Sequence, residues 1–280
     1  MRLEEPVAAA GWRAELALGY ERRGTRSVLA SRRHDGPLVV QKPLYPEGDA
    51  VCHTIVVHPP GGVAGGDELT LEVSIGDGAH ALLTTPGAAK WYRSSGPWAL
   101  QRLAFEVAST AVLEWLPQET IVFDAARARL SSEVRLAADA RFVGWEVLCF
   151  GRSGSGERLT RGACRLANAI WRDGRLLWRE RGQFDGGGAV LESPAGLRGQ
   201  PVSGTLVAAA PEIDDALLAA CRRQAPLRGE GGVTRLPQLL VARYLGDSSE
   251  AARNYFVALW RVLRPALTGY EAIEPRIWST

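Results

Sequence analysis

Apolar and polar residues alternate over most of the first three quarters of the chain. Residues 69–75 alternate cleanly, residues 76–78 have turn-forming composition, and residues 79–85 can return as a second strand. A period of two places the apolar side chains on one face of a strand. The same layout recurs at 103–116 and at 133–150. This part of the chain is therefore predicted to contain a series of strand pairs.

The strand pairs recur at a roughly constant interval, with Glu-Val at 72–73 and again at 106–107. A weak repeat of this kind is typical of stacked supersecondary units. Residues 172–175 lie between two apolar runs and predict a tight hairpin. We predict a mainly β fold, a β-superhelix of stacked and wrapped hairpins. No linker-like segment divides the chain, so a single domain is expected over residues 1–280.

Two segments in the C-terminal half have helical periodicity. Residues 211–223 begin with acidic residues, which the helix macrodipole favours in a first turn. Residues 247–264 carry a second apolar stripe, with Asp247 or Ser248 as the N-cap. This second helix is predicted to end at Arg264, because the residue before a proline avoids helical geometry. The remaining predictions here are a strand at 236–245 and a surface loop at 185–201.

Composition narrows the class of protein. The chain has 33 Lys and Arg against 31 Asp and Glu, for a net charge of +2. A dedicated nucleic-acid binder would need a strongly basic surface. No segment approaches the ~18 consecutive apolar residues that span a bilayer, and the acidic opening at residues 1–6 is unlike a signal peptide. We therefore expect a cytoplasmic protein with no nucleic-acid or membrane partner.

Potential metal ligands are densest at the start of a glycine-rich run, where Cys52, His53 and His58 lie close in sequence. Thiolate and imidazole ligands suit transition metals such as nickel, copper and zinc. On a straight strand, Cys52 and His53 would point to opposite faces, and Cys52 and His58 would lie ~20 Å apart. No tight metal site is therefore predicted. A transient metal contact and a purely structural role both stay open.

Carboxylates on apolar segments are the other candidates for a site. Glu114 lies within Val-Leu-Glu-Trp-Leu, Glu119 follows shortly after it, and Glu146 shares a strand face with leucine and phenylalanine. A buried carboxylate must be paired, hydrogen-bonded or protonated, or must line a wet cavity. A partner arginine is the alternative explanation. No histidine follows residue 80 to serve as the base of a hydrolase, so no enzyme is predicted.

Short motifs that occur in order along nearly the whole chain carry a resemblance to a known family. They are Pro-Leu-Tyr-Pro-Glu-Gly at 43–48, Cys-His at 52–53, His-Pro-Pro-Gly-Gly-Val-Ala-Gly-Gly-Asp at 58–67, Thr-Thr-Pro-Gly-Ala-Ala-Lys-Trp-Tyr-Arg at 84–93, Leu-Glu-Trp-Leu-Pro-Gln-Glu-Thr-Ile at 113–121, Gly-Trp-Glu at 144–146, Gly-Arg at 151–152 and Pro-Arg-Ile-Trp at 275–278. These motifs resemble the UreD family of urease accessory proteins, called UreH in some nomenclatures. Trp91 departs from the Val or Ile that many relatives carry.

The resemblance implies a non-enzymatic urease maturation factor that folds as a β-superhelix with two helices. Such proteins bind urease apoprotein and UreF directly and the GTPase UreG through UreF, and they help to deliver nickel through an internal passage. Transient Ni(II) is then expected, without a tightly bound cofactor, because conduction requires contacts weak enough to release the ion. The candidates for passage or transient metal contact are Asp67, Glu68, Thr84, Thr85, Glu114, Glu119, Glu146, Cys52, His53 and His58.

A partner-binding surface is predicted on the second helix, at Tyr255, Leu259 and Trp260, or on the strand before it. Aromatic and apolar surface is typical of what protein partners bury, and packing onto the chain's own sheet is the alternative. For the whole protein, the alternative is a cytosolic β-solenoid binding module unrelated to urease, which would predict exposed aromatic ladders. Binding to UreF and urease apoprotein distinguishes the two classes.

Overall fold

The computed structural model of the chain describes residues 11–279. The first strands are β1 (Arg13–Arg23), β2 (Arg26–Asp35), β3 (Val39–Val40), β4 (Val51–Val57), β5 (Glu68–Ile75), β6 (His80–Thr84), β7 (Ala89–Trp91), β8 (Ala99–Val107) and β9 (Val112–Leu116). They are followed by β10 (Thr120–Val122), β11 (Arg127–Leu136), β12 (Arg141–Phe150), β13 (Ala163–Arg172), β14 (Arg175–Asp185), β15 (Val202–Ala209), β16 (Glu230–Leu236) and β17 (Leu239–Gly246). The helices are α1 (Ala189–Glu192), α2 (Asp215–Arg222) and α3 (Ser249–Thr268), with short 3-10 turns at Ser153–Ser155 and Arg276–Ser279. The prediction about a signal peptide falls on residues 1–10, outside the described residues.

The strands form two sheets that face each other. The first sheet has the order β14-β13-β11-β8-β5-β1-β2, and its five inner strands run parallel. The second sheet has the order β16-β17-β15-β12-β9-β6-β4-β3, with β10 and β7 attached beside β12. Strands β4, β6, β9 and β12 of this sheet are also parallel. This β-solenoid arrangement confirms the predicted mainly β superhelix.

Strands that follow one another in sequence alternate between the two sheets. β5 pairs with β1 and β8, whereas β6, which follows the turn at residues 76–78, pairs with β4 and β9. Most of the predicted pairs are therefore arches that join the sheets, and successive coils stack in parallel. The hairpin predicted at 172–175 is confirmed, because β13 and β14 are antiparallel. Asp173 (φ 48°) and Gly174 (φ 76°) have the positive φ values of a type I′ turn.

Two apolar cores hold the layers together. The first lies between the sheets and includes Leu71 of β5 and Leu113 of β9. The second lies between the outer face of the second sheet and helices α2 and α3, and includes Trp145, Phe256 and Trp260. β6 and β9 are covered on both faces, and all of their residues are buried. A strand that is covered on both faces is mostly apolar rather than alternating, and the buried polar residues of these two strands are His80, Thr84 and Glu114.

The smaller C-terminal elements differ from the predictions mainly at their ends. Helix α2 begins one residue after Asp214, whose carboxylate accepts a hydrogen bond from the backbone nitrogen of Leu217 at 2.7 Å. The strand predicted at 236–245 is present as β17, preceded by a two-residue turn from β16. The loop predicted at 185–201 contains the four-residue helix α1. Ser248, one of the two predicted N-caps, caps α3.

Helix α3 extends beyond its predicted end at Arg264, so this prediction was wrong. Pro265 lies inside the helix, which continues to Thr268 and ends at Gly269 with φ 77°. A proline removes one main-chain hydrogen bond, but Leu267 is only 6% exposed in the second core and holds the last turn in place. Tertiary packing therefore outweighs the local bias of the residue before proline. Neither α3 nor any other helix of residues 11–279 has the length and apolar character to cross a bilayer.

The left-handed cap at Gly269 allows a test of where α3 ends. A side chain at φ 77° is strained by about 1 kcal/mol relative to glycine, and an added Cβ there meets only open space. Gly269→Ala should therefore lower the free energy of unfolding by about 1 kcal/mol. Gly154→Ala is the matched control, because its Cβ also meets open space and its φ is outside the left-handed region. Urea denaturation measures both variants. Equal stability of the two would show that α3 does not end in a left-handed cap.

Candidate functional site

A cavity of about 350 Å³ lies between the two sheets. Its walls are largely apolar, with Phe105, Trp115 and Val207 among the side chains that form them. An apolar pocket with a few convergent polar groups is the usual composition of a binding site for a small ligand or ion. The polar lining residues are His58, Thr85, Lys90, Gln101, Gln118, Thr120, Ser131, Ser132, Glu146, Asn168 and Thr205.

Glu146 is the carboxylate in this lining. It lies on β12 and is half-buried, and its Oε2 accepts a long hydrogen bond of 3.4 Å from Asn168 Nδ2. Burial raises the pKa of Glu146 to about 7, the negative charge of Glu180 adds to the increase, and the bond from Asn168 opposes it. Near neutral pH this side chain therefore exists in both its protonated and its ionised forms.

Glu180 of β14 is the second carboxylate in this part of the interior. The register of β13 and β14 sets it beside Asn168, and it pairs with Arg243 of β17. Arg243 also donates a hydrogen bond of 2.7 Å to Thr205 Oγ1. The other oxygen of Glu180, Oε2, is buried without a hydrogen-bond partner among the described residues. The interior therefore contains two neighbouring carboxylates whose oxygens could accept further hydrogen bonds or bind a cation.

A separate polar cluster is buried around Arg264, near the end of α3. Arg264 is 0% exposed, and its Nε donates to Glu114 Oε1 at 3.0 Å. Its two terminal nitrogens donate to the two carboxylate oxygens of Glu47 at 2.7 and 2.8 Å. One of them also donates to the main-chain carbonyl of Glu271. This guanidinium group therefore ties the last turns of α3 to β9 and to the segment that precedes β4.

Each carboxylate of this cluster also contacts a histidine. His53 Nε2 lies 2.5 Å from Glu47 Oε1, and His80 Nε2 lies 2.7 Å from Glu114 Oε1. An ionised carboxylate only accepts, so each ring nitrogen must donate. Trp260 Nε1 donates to Glu114 Oε2 at 2.5 Å. Burial acts to raise the pKa of both carboxyls, but their partners prevail and lower the pKa of Glu114 to about 2 and that of Glu47 below its usual range.

The structure divides the predicted passage residues into separate groups. Thr85, Glu146 and His58 line the cavity, where burial lowers the pKa of His58. His53 and Glu114 belong instead to the cluster around the α3 guanidinium. Within residues 11–279, no group of three or more His, Cys, Asp or Glu side chains is placed to hold a metal ion.

Two predicted residues lie at the glycine-rich loop. The carboxylate of Asp67 accepts hydrogen bonds from the backbone nitrogens of Trp12 at 2.8 Å and Ala64 at 2.7 Å, and so fixes the fold of the loop. Glu68 is exposed at the start of β5 and lies 3.6 Å from Arg13 in a surface ion pair. Both have structural contacts that account for their positions, and a nickel contact by either stays a prediction.

The other three predicted residues lie beside the cavity or inside the protein. Thr84 is buried, donates a hydrogen bond to the carbonyl of Leu116 at 2.6 Å and accepts one from Trp278 Nε1 at 2.8 Å. Cys52 is buried in the first core. Glu119 is half-buried, but it is not part of the cavity lining. Among the described residues, none of the three belongs to a group of side chains that could hold a metal ion.

The predicted partner-binding residues are inside the protein. Tyr255, Leu259 and Trp260 are 2%, 0% and 0% exposed, and all three belong to the second core. This face of α3 is therefore packed on the chain's own second sheet, which is the alternative that the sequence left open. In this conformation these side chains are not available to a partner.

Sequence reasoning did not predict four residues of the two polar regions as site residues. They are Glu47, Arg264, His80 and Glu180. A sequence signal exists for two of them. Arg264 follows Trp260 by four residues and so lies on the apolar face of its helix. Glu180 alternates with Trp178 and a phenylalanine on one strand face, which also marks a buried acid. Glu47 lies in an irregular segment, where no periodicity reveals which side chains are buried.

Removing the buried cation should destabilise the protein strongly. Arg264→Met leaves two buried carboxylates without their cation, so the free energy of unfolding should fall by about 3–5 kcal/mol. Arg261→Met is the matched control, because Arg261 lies one turn earlier and pairs with Glu274 at the surface, where an ion pair contributes at most ~1 kcal/mol. Urea denaturation measures both. If Arg264→Met does not fold, adding Glu47→Gln and Glu114→Gln should restore folding. Equal losses in the two single variants would contradict the role of the cluster.

Glu146 should make stability depend on pH near neutrality. Its pKa rises from 4.5 to about 7 on folding, so its contribution is present at low pH and is lost as the pH rises through about 7. Glu146→Gln removes this titration, so wild type should lose stability relative to the variant between about pH 5 and about pH 8. Urea denaturation across this range is the measurement, and Glu72→Gln, an exposed site on β5, is the control. Parallel pH curves for wild type and Glu146→Gln would argue against a titrating group in the cavity.

Comparison with known proteins gives concordant results. The family model described as UreD urease accessory protein matches residues 12–279. Proteins named urease accessory protein UreD from Azoarcus sp. (strain BH72), Dechloromonas aromatica (strain RCB) and Methylobacillus flagellatus are 59%, 55% and 51% identical to the chain. These similarities cover 98%, 99% and 96% of this chain and 96%, 98% and 95% of the relatives. They exclude a binding module unrelated to urease. The chain belongs to the UreD family of urease accessory proteins.

Proposed function

We propose that this chain is a non-enzymatic urease maturation factor that helps to deliver nickel to urease apoprotein through its own interior. Family membership supports the role in urease maturation. The observation that carries the nickel route is the cavity between the sheets, which Glu146 lines, with Glu180 close enough for its charge to raise the pKa of Glu146.

The two carboxylates have the properties needed for a transient contact with a divalent cation. Among the described residues, Glu180 has a buried oxygen without a partner, and Glu146 has a single long hydrogen bond. A cation beside them would favour the ionised form of Glu146 and give the free oxygen a partner. Two oxygen ligands hold nickel weakly compared with a complete ligand set. An ion in transit requires such weak contacts, because it has to leave again.

The cavity also reaches the surface at one end. Its lining includes Pro86 and Gly87, which are exposed in the turn between β6 and β7. His58 and Thr85 line the cavity and offer an imidazole nitrogen and a hydroxyl oxygen. An ion that enters here would have these two donors available in the same lining as the carboxylate of Glu146.

We place the chain in a complex in which UreF binds it directly, UreG joins through UreF, and urease apoprotein receives the nickel. The names of the relatives support the urease part of this proposal, and the UreF and UreG part extends the motif resemblance. The four cysteines are buried and form no disulfide bonds, which fits a reducing compartment. The cytoplasm is therefore the proposed location of the complex.

A substitution inside the cavity should impair nickel delivery, whereas the same substitution outside it should not. Glu146→Leu removes a lining carboxylate, and we expect urease activation in cells to fall severalfold at limiting nickel and to recover partly at high nickel. Glu72→Leu is the matched control, because Glu72 is exposed on β5 and does not line the cavity. Urease activity per urease protein is the readout, and co-purification with UreF reports assembly. Full activation by Glu146→Leu with normal assembly would reject the route through the cavity.

A further inference from the structure

Arginines gather on the outer face of the first sheet, on the side away from the cavity. Trp98, just before β8, has three guanidinium groups near its ring. Their distances to the ring centroid are 4.7 Å for Arg127, 5.5 Å for Arg129 and 4.5 Å for Arg165. Arginine stacks favourably on an aromatic face, and this restricts where the charged groups lie. The three cations are therefore held together at one place on the sheet.

Strand register extends this group across the sheet. Arg102, Ser131, Ala167 and Arg181 lie side by side on β8, β11, β13 and β14, and Arg179 lies two residues before Arg181. Small side chains between the arginines leave a shallow trough. We call this group the arginine face, and it consists of Arg102, Arg127, Arg129, Arg165, Arg179 and Arg181.

The arginines of this face are not paired with carboxylates of the described residues. None of its six members forms an ion pair with another residue of the stretch 11–279. The two carboxylates in the lining of the trough, Glu133 and Glu180, pair instead with Arg135 and Arg243. The Nε of Arg165 is buried without a hydrogen-bond partner among the described residues. Crowded like charges repel one another and disfavour the compact state. An external group that supplies negative charge would therefore stabilise this face.

The charges on the rest of this sheet face indicate what kind of external group the arginine face would bind. On β1, β2 and β5, the acids of this face are Glu15, Asp35, Glu68 and Glu72, and the bases are Arg13 and Arg33. Four carboxylates against two arginines leave a net charge of only −2, so a second copy of the chain has too few free carboxylates here to match six arginines. The arginine face is only about four strands wide, or about 14 Å, and it ends at these acids. A nucleic acid extending across the sheet would be repelled by them.

We infer that the arginine face is a docking surface for an acidic patch on another folded protein of the urease maturation complex. Arginine and tryptophan are the residues that most often dominate the binding energy of protein interfaces. Complementary charge mainly accelerates association and selects the partner. The inference rests on the proposed function only for the choice of proteins to test.

Charge reversal at exposed members of the face provides the test. The variant carries Arg102→Glu, Arg129→Glu and Arg181→Glu, and the matched control carries Arg32→Glu, Arg33→Glu and Lys42→Glu, which are exposed elsewhere. Both change the net charge equally. The tagged full chain is co-expressed with urease apoprotein or with UreF, and the partner recovered per chain is measured at low and at high salt. We expect the arginine-face variant to lose at least about tenfold of one partner, the control to match wild type, and high salt to reduce recovery by wild type.

Several outcomes would overturn the inference. If the arginine-face variant recovers both partners at the wild-type level, the docking surface is rejected and the proposed function stays intact. Failure of wild type to recover either partner would reject the proposed function as well. Light scattering of the purified proteins gives their oligomeric states. If wild type and the control are dimers and only the arginine-face variant is a monomer, the face binds a second copy and the inference is rejected. Bound nucleic acid, detected by absorbance, would reject the inference if only this variant lost it.

Discussion

The buried guanidinium group of Arg264 is the interaction on which the arrangement of the layers depends. It bonds Glu47, Glu114 and the carbonyl of Glu271 at once. A buried ion pair gains little net stability, because removing the charges from water is costly. Its effect is on specificity, since a helix shifted along the sheet would leave two buried carboxylates unpaired. The bonds of this one group therefore fix where α3 lies on the second sheet.

That position of α3 explains why two acids on similar strands have opposite properties. Glu114 and Glu146 both occur in apolar segments of the second sheet, but Glu114 faces the helices and Glu146 faces the cavity. The first has a guanidinium, an imidazole and an indole as partners, and its pKa falls to about 2. The second has one weak partner and a neighbouring carboxylate, and its pKa rises to about 7. One environment makes a permanent structural anion, and the other makes a carboxyl that can exchange a proton.

The sequence predicts the elements of this fold much better than their contacts. A period of two locates strands such as β5 because each strand has one buried face, and that signal is local. Local sequence does not decide whether a turn forms a hairpin within one sheet or an arch that joins the two sheets, because the turn at residues 76–78 suits either. The sequence also indicates that Glu114 needs a partner. It cannot identify Arg264 as that partner, because 150 residues separate the two in a chain rich in arginine.

The proposed route requires the interior to bind nickel weakly, and the geometry explains how a β-solenoid achieves this. Each coil contributes alternate side chains to the interior, so polar groups enter one at a time from different strands. Glu146 comes from β12 and Glu180 from β14, and within residues 11–279 they have no third His, Cys or acidic neighbour placed to complete a metal site. A proton and a cation compete for the oxygens of Glu146, so each weakens the binding of the other. In the proposed route, an ion held in this way moves on to a site with more ligands because that site binds it more tightly.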